Sequence, residues 1–337
     1  MGVSGEGSPA APTIDDGPVD ISVIVPAYRA GATLGDCAAS LLHQQYRGSF
    51  EVIVSASADT VEELPSLPAD SRLTVLTHVP RLPAATARNR AAAVARGRLL
   101  AFADADVIAD PSWLSELERA AEGVRCVAGS VRNGTPASAA GTAEYLLEFF
   151  DFYPGRPAAS AWHGATCNLL IPKSLWESWG PFPEDLDGGE DTLLTTRLHR
   201  AGLFTFAPSA AITHRNRTGV RTVLAHQFAA GRFCARMVRQ MRTPGRLILY
   251  YTPLVPLAVV GRLAALGGKL VAWDRASLPR AVAIGPLLVA GMGAWGAGLA
   301  AEGARLDWMA LRRRLSGPPA GQPTAAGYVA AVPTSGG

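Results

Sequence analysis

Five apolar residues, Leu99-Leu-Ala-Phe-Ala103, run straight into Asp104-Ala-Asp106. Such a run reads as a buried strand, with two carboxylates at its carboxyl end. Three other runs match it: Ile21-Ser-Val-Ile-Val25, closed by Pro26; Glu51-Val-Ile-Val54; and Leu73-Thr-Val-Leu76. Helical patterns lie between them. Leu34, Ala38, Leu41 and Leu42 share one face of a helix predicted over 33–45, and Ala84–Arg96 is rich in the helix formers Ala and Arg. Strands alternating with helices on this scale predict an α/β fold with a doubly wound sheet. Ligands in such sheets bind beyond the carboxyl ends of the strands. Attention therefore falls on Pro26 onward, on Ser55–Thr60 and on Asp104–Asp106.

The chemistry of Asp104-Ala-Asp106 follows from its oxygens. Hard cations such as Mg²⁺ or Mn²⁺ take carboxylates together with substrate phosphates, and an ion so held neutralises a diphosphate leaving group. The competing reading is a capping turn, since Asp110-Pro111-Ser112 looks like a helix start. A second acidic pair, Glu190-Asp191, follows two glycines and opens a helix that ends at Gly202. It could cap that helix, or supply a general base for an acceptor hydroxyl. His214, in Ile212-Thr-His-Arg-Asn216, follows a short strand; it is either structural or completes a metal shell. A further strand is predicted at Leu169–Ile171, and 125–220 otherwise reads as less regular.

The C-terminal part changes character. Leu247–Gly261 is apolar, and the apolar character resumes after Arg262 through Gly268. Pro253 and Pro256 interrupt that stretch, which suits a re-entrant or interfacial segment. Ala281–Ala301 is continuously apolar over about the 20 residues that span a bilayer. Its glycines suit close helix packing. A buried soluble hairpin is the alternative. Arg312-Arg-Arg314 places the C-terminus inside, but Arg262, Lys269, Arg275 and Arg280 lie between the two stretches. A shallow hairpin that does not cross fully reconciles the two.

Composition excludes other classes. A formal net charge of +3, without runs of interleaved basic and aromatic residues, gives no footprint for nucleic acid. Cys37, Cys126, Cys167 and Cys234 form no CxxC pair, so neither a zinc site nor a disulfide framework is expected. Met1–Asp20 lacks the charged start and apolar core of a signal peptide. The expected organisation is a tail over 1–20, a catalytic domain over 21–240, an apolar membrane-associated region over 241–305, and a basic then disordered tail over 306–337. The expected location is the cytoplasmic membrane, with the catalytic domain on the cytoplasmic side.

Taken in order, Ile21-Ser-Val-Ile-Val-Pro-Ala-Tyr28, Ala87-Arg-Asn89 with Ala91–Gly97, Asp104-Ala-Asp106 and Gly189-Glu-Asp191 resemble the motifs of family 2 glycosyltransferases. The similarity covers about Ile21 to Arg239. It implies the GT-A fold and an inverting transfer from a nucleotide-diphosphate sugar to a sugar or lipid-linked acceptor. It implies that Asp104 and Asp106 bind Mn²⁺ or Mg²⁺ and the donor diphosphate, and that Asp191 is the base, with Glu190 orienting the acceptor or the base. His214 matches a position often near the metal. Pro26, Ala27 and Tyr28 match the loop lining the nucleotide, and Arg88 a position near the donor; the plain alternative for Arg88 is a helix-surface salt bridge. One departure stands out. The family's usual Asp-Asp-Gly-Ser type run after the second strand is replaced by Val54-Ser-Ala-Ser-Ala-Asp59-Thr60. Asp59, or Ser55 and Ser57, would then meet the nucleotide base. The segment Gln227–Arg232 lacks the Gln-x-x-Arg-Trp run of processive synthases, so a single sugar transfer is expected. Two other readings compete: an inactive relative acting as partner in a membrane biosynthetic complex, and a nucleotidyltransferase. Against the second, Pro26–Gly31 offers only one arginine and one glycine as a phosphate loop.

Overall fold

The four apolar runs of the N-terminal half lie side by side as parallel strands. In the computed structural model, which describes residues 18–60, 67, 69–122, 125–158, 161–186, 188–241 and 252–315, they are β1 (Ile21–Tyr28), β2 (Phe50–Ser57), β3 (Leu73–His78) and β4 (Leu99–Ala103). β1 runs through Pro26, where the sequence predicted its end. Its pairing with β4 stops at Ile24↔Phe102 while pairing with β2 continues to Tyr28↔Ser57, so the missing Pro26 amide hydrogen is tolerated at the margin of the ladder. Between these strands lie α1 (Leu34–Leu42) and α2 (Ala84–Val94), each a little shorter than its sequence pattern.

The middle of the chain is more ordered than its sequence suggested. It contains β5 (Val107–Ala109), α3 (Trp113–Ala121), β6 (Cys126–Asn133), α4 (Ala139–Glu148), β7 (Asn168–Pro172), α5 (Lys173–Trp179), α6 (Glu190–Arg200) and β8 (Phe204–His214). The sheet order is β3-β2-β1-β4-β7-β6-β8-β5, with β7 antiparallel to both neighbours and β5 antiparallel to β8. Helices cover both faces, and Phe102, Trp113 and Phe182 are fully buried between the layers. Residues 1–17 of the expected N-terminal tail lie outside the described residues. Asp20 is tied to the domain through Ser49 and Arg98.

Among the described residues, four α-helices follow: α7 (Val220–Met241), α8 (Val255–Trp273), α9 (Leu278–Ala283) and α10 (Gly285–Leu315). Of the first apolar stretch, 247–251 lie outside the described residues. Pro256 stands in the first turn of α8, so it starts the helix rather than interrupting it. A turn at Ile284 divides the second stretch. α10 then runs through Arg312-Arg-Arg314 into the segment read as a tail; 316–337 are outside the described residues.

The hairpin closes where a Cβ on Gly296 would stand 2.5 Å from Val259. α7 is its third member. A Cβ on Gly231 would stand 1.9 Å from the Trp295 carbonyl oxygen, and one on Gly298 2.0 Å from that of Phe228. Only glycine permits that approach. Arg232 and Arg236 of α7, with Arg305, close on Glu302, which is 1% exposed.

Candidate active site

β4 ends at Ala103, and the chain turns through Asp104-Ala-Asp106 into β5. Val107 of β5 is in register with His214, the last residue of β8, so sheet pairing carries the histidine to the aspartates. His214 Nε2 lies 3.3 Å from Asp106 Oδ1. Its Nδ1 faces Asn216 Oδ1 at 3.2 Å, and Asn216 donates to Asn133, so its oxygen is the free acceptor. That arrangement leaves Nε2 aimed at the aspartates. One ligand atom from each of Asp104, Asp106 and His214 lies within 4.8 Å of the others. Two carboxylates and an imidazole suit Mn²⁺ or Mg²⁺, so the residues present fit the expected ion. Burial works against the charge of both groups, but their contact outweighs it: the His214 pKa is raised and that of Asp106 lowered. Neither aspartate caps α3. In the first turn of α3, the Trp113 N–H donates to the Asp110 carbonyl and the Leu114 N–H to Gln44 Oε1.

The acidic pair opens α6 as expected. Gly188 and Gly189 precede it at φ 122° and 78°, a path side chains rarely take. The turn presses on α7, where a Cβ on Gly188 would meet the Phe233 ring at 2.8 Å. Asp191 accepts from the amides of Thr166 at 3.1 Å and Thr192 at 2.6 Å. Burial raises its pKa despite those bonds and Arg88. Glu190, 6% exposed, is pushed up to about 7 by burial and by the neighbouring Asp191, against the pull of Arg88.

Arg88 joins the two centres. It is 5% exposed, and its Nη2 donates to Asp104 at 2.7 Å while Nη1 donates to Glu190 at 2.9 Å. The surface salt bridge weighed from sequence is therefore replaced by a buried fork. Glu190, expected to orient acceptor or base, holds Arg88. Nothing in the sequence spacing reveals this link, because α2 and α6 meet only in space.

At the ends of β1 and β2, the Tyr28 hydroxyl donates to Asp59 at 2.8 Å, and Arg29, at φ 50°, reaches the same oxygen at 2.9 Å. Arg81, missed in the sequence, lies over the Tyr28 ring at 4.2 Å. The Ala27 methyl is in the core and Pro26 is half-buried, so of the three expected loop residues Tyr28 presents its ring. Ser55 and Ser57 are buried, and Ser55 is bonded to His78, which favours Asp59 over the serines as the polar group at this strand end.

Beyond Asp191 opens a cavity of about 640 Å³, walled by the α6 turn, the end of α4, and α7, α8 and α10. Trp162, Phe233, Leu266, Met292 and Trp295 line it, with Arg262 and Lys269 from α8. Cys37, Cys126 and Cys167 are buried, and no disulfide joins the four cysteines; burial, above all, pushes Cys37 up to about 12.

Residues 22–157 match the Glycosyl transferase family 2 profile. Glycosyltransferase AglE of Haloferax volcanii is 29% identical over 221 residues, 63% of this chain and 72% of that protein. Among solved structures, the mannosyltransferase PcManGT from Pyrobaculum calidifontis, in complex with GDP-Man and Mn²⁺, shares the fold at a TM-score of 0.53. That match has 18% identity and covers 86% of this chain and 89% of the other.

Proposed function

We propose that this chain, a family 2 glycosyltransferase with the GT-A fold, moves one sugar from a nucleotide-diphosphate donor to an acceptor hydroxyl, with inversion, at the cytoplasmic face of a membrane. The observation that carries this reading is the Arg88 fork. It locks Asp104, beside Asp106 and His214, to Glu190, beside Asp191. A site for a diphosphate and a site for a base thus share one rigid bridge.

Asp104, Asp106 and His214 would hold Mn²⁺ or Mg²⁺, whose chemistry there is charge neutralisation on the leaving diphosphate. Asp191, its carboxylate oriented by the Thr166 and Thr192 amides, takes the acceptor hydroxyl proton. The acceptor oxygen bonds to the anomeric carbon as the bond to the diphosphate breaks on the opposite face. Tyr28 and Asp59 face the nucleotide. The GDP-Man and Mn²⁺ bound by the fold neighbour support a nucleotide-sugar donor and a divalent ion for this chain. The apolar helices around the cavity support a lipid-linked acceptor, and the lack of a Gln-x-x-Arg-Trp run supports transfer of a single sugar.

Donor hydrolysis with Mn²⁺ is the direct test. Hydrolysis that Asp106→Ala abolishes supports the reading. Folded protein that binds and cleaves no nucleotide sugar would instead be an inactive partner.

A further inference from the structure

α8 and α10 are both long and apolar enough to cross a bilayer, with mean hydropathies of 1.6 and 1.2. Their surroundings argue against crossing. α10 is seated on α7 at Gly231 and Gly298, and the two are joined by Arg232 and Arg236 to Glu302 and by Arg239 to Asp307. α10 could enter hydrocarbon only by taking the arginines of α7 with it, which is costly. α8 is likewise held lengthwise on the catalytic domain. Lys269 pairs with Asp151, and Arg262 lies 3.5 Å from the Leu147 carbonyl oxygen and over the Trp295 ring.

The opposite side of α8 is bare. Leu257, Val260 and Val271 fall on one helical face and are 58%, 63% and 46% exposed. Val282 of α9, at 76%, and Val289 of α10, at 58%, are exposed on the next two helices. Arg275 and Arg280 are exposed in the connection between α8 and α10. Over 252–300 the sequence holds four cations, Arg262, Lys269, Arg275 and Arg280, against one acid, Asp274, which caps the turn at Ser277.

We infer that α8, α9 and the start of α10 lie in the plane of an anionic membrane surface and do not cross it. The apolar face enters the headgroup boundary, and Arg275 and Arg280 meet lipid phosphates. This rests on the membrane-face placement proposed above. It also puts the cavity beyond Asp191 directly behind α8, about one helix diameter, roughly 10–12 Å, from the lipid. An acceptor anchored in that leaflet would reach the cavity without leaving the membrane.

The test uses the full chain. Alkaline carbonate should release it from membranes. Purified protein should co-sediment with phosphatidylcholine vesicles containing phosphatidylglycerol, and Arg275→Glu with Arg280→Glu should weaken that binding roughly tenfold or more. Val260→Glu, at an exposed position, should weaken it as well. Carbonate resistance would mean a spanning helix, equal binding to pure phosphatidylcholine would remove the arginine contact, and no binding to either vesicle would leave the face to another occupant. Each of these overturns the inference. The thermal shift with a nucleotide diphosphate and Mn²⁺, measured on the same protein, reports the donor site separately, so failure of the transferase reading would be seen independently.

Discussion

On the proposed donor side, Tyr28 ends β1, Asp59 lies beyond β2 and Asp104 follows β4, three strands bonded to neighbours on both flanks. On the proposed acceptor side, the cavity beyond Asp191 is walled by helices that meet through bare glycines and arginine clusters. Strand ladders fix positions tightly, so the residues proposed to hold the diphosphate and the ion have little freedom. Helix walls change shape by exchange of single side chains. On the proposed reading, one fold can therefore keep its donor chemistry while its acceptor wall varies, with Arg88 joining Asp104 to Glu190 between the halves.

The sharpest way to break this comparison is Asp191→Asn. Transfer should fall by about 10²–10⁴-fold while the Mn²⁺-dependent thermal shift with nucleotide diphosphate remains. Loss of nucleotide binding in that variant would show that the two halves are not separable. Next comes stability of the helical wall. Glu302→Ala strands Arg232, Arg236 and Arg305, and should cost about 2–3 kcal/mol in denaturant unfolding, discounted for the partly exposed arginines. Burial acts to raise the Glu302 pKa, but Arg236, Arg305 and Arg232 hold it down to about 2. Its stabilisation is therefore complete above the ordinary glutamate range and is lost as pH falls towards 2. A flat stability between pH 5 and 2 would contradict this.

A smaller effect separates Glu190 from Asp191. Both carboxyls are raised, Glu190 to about 7, so transfer should fall as pH drops through that region and the pair takes up a proton. Glu190→Gln removes the neighbouring negative charge and should move the acid limb of the kcat/KM profile down by roughly one unit. A limb that stays in place would mean that another group controls it. The smallest effect is expected at Tyr28→Phe. Losing the hydroxyl contact to Asp59 should weaken nucleotide binding by about 0.5–1.5 kcal/mol, read by titration calorimetry. A larger loss would mean that Tyr28 touches the nucleotide through its hydroxyl.

The parallel strands, the start of α6 and the separate candidates Asp104, Asp106, Asp191 and His214 were legible in the chain, because each rests on a local pattern of apolar runs, glycines and carboxylates. The short β5, the interior of β6 and the long α7 were not. Gly129 in β6 has no side chain to signal a strand, and its role is a close approach to the Ala210 carbonyl oxygen. α7 alternates arginines with small residues, and its meaning depends on α10.

Sequence alone thus determined the α/β class, the carboxylates after β4 and the two apolar C-terminal stretches, since buried strands and apolar helices need residues of one kind in contiguous runs. Tertiary structure alone decided what those residues face. The pairing of β5 with β8 brought His214 to Asp106; the reach of Arg88 from α2 to Asp104 and to Glu190 of α6 made a buried fork; and the seating of α10 on α7, with Lys269 of α8 paired to Asp151, set two bilayer-length helices against the α/β domain. Each is a contact between residues far apart in the chain, and local patterns carry no record of such distances.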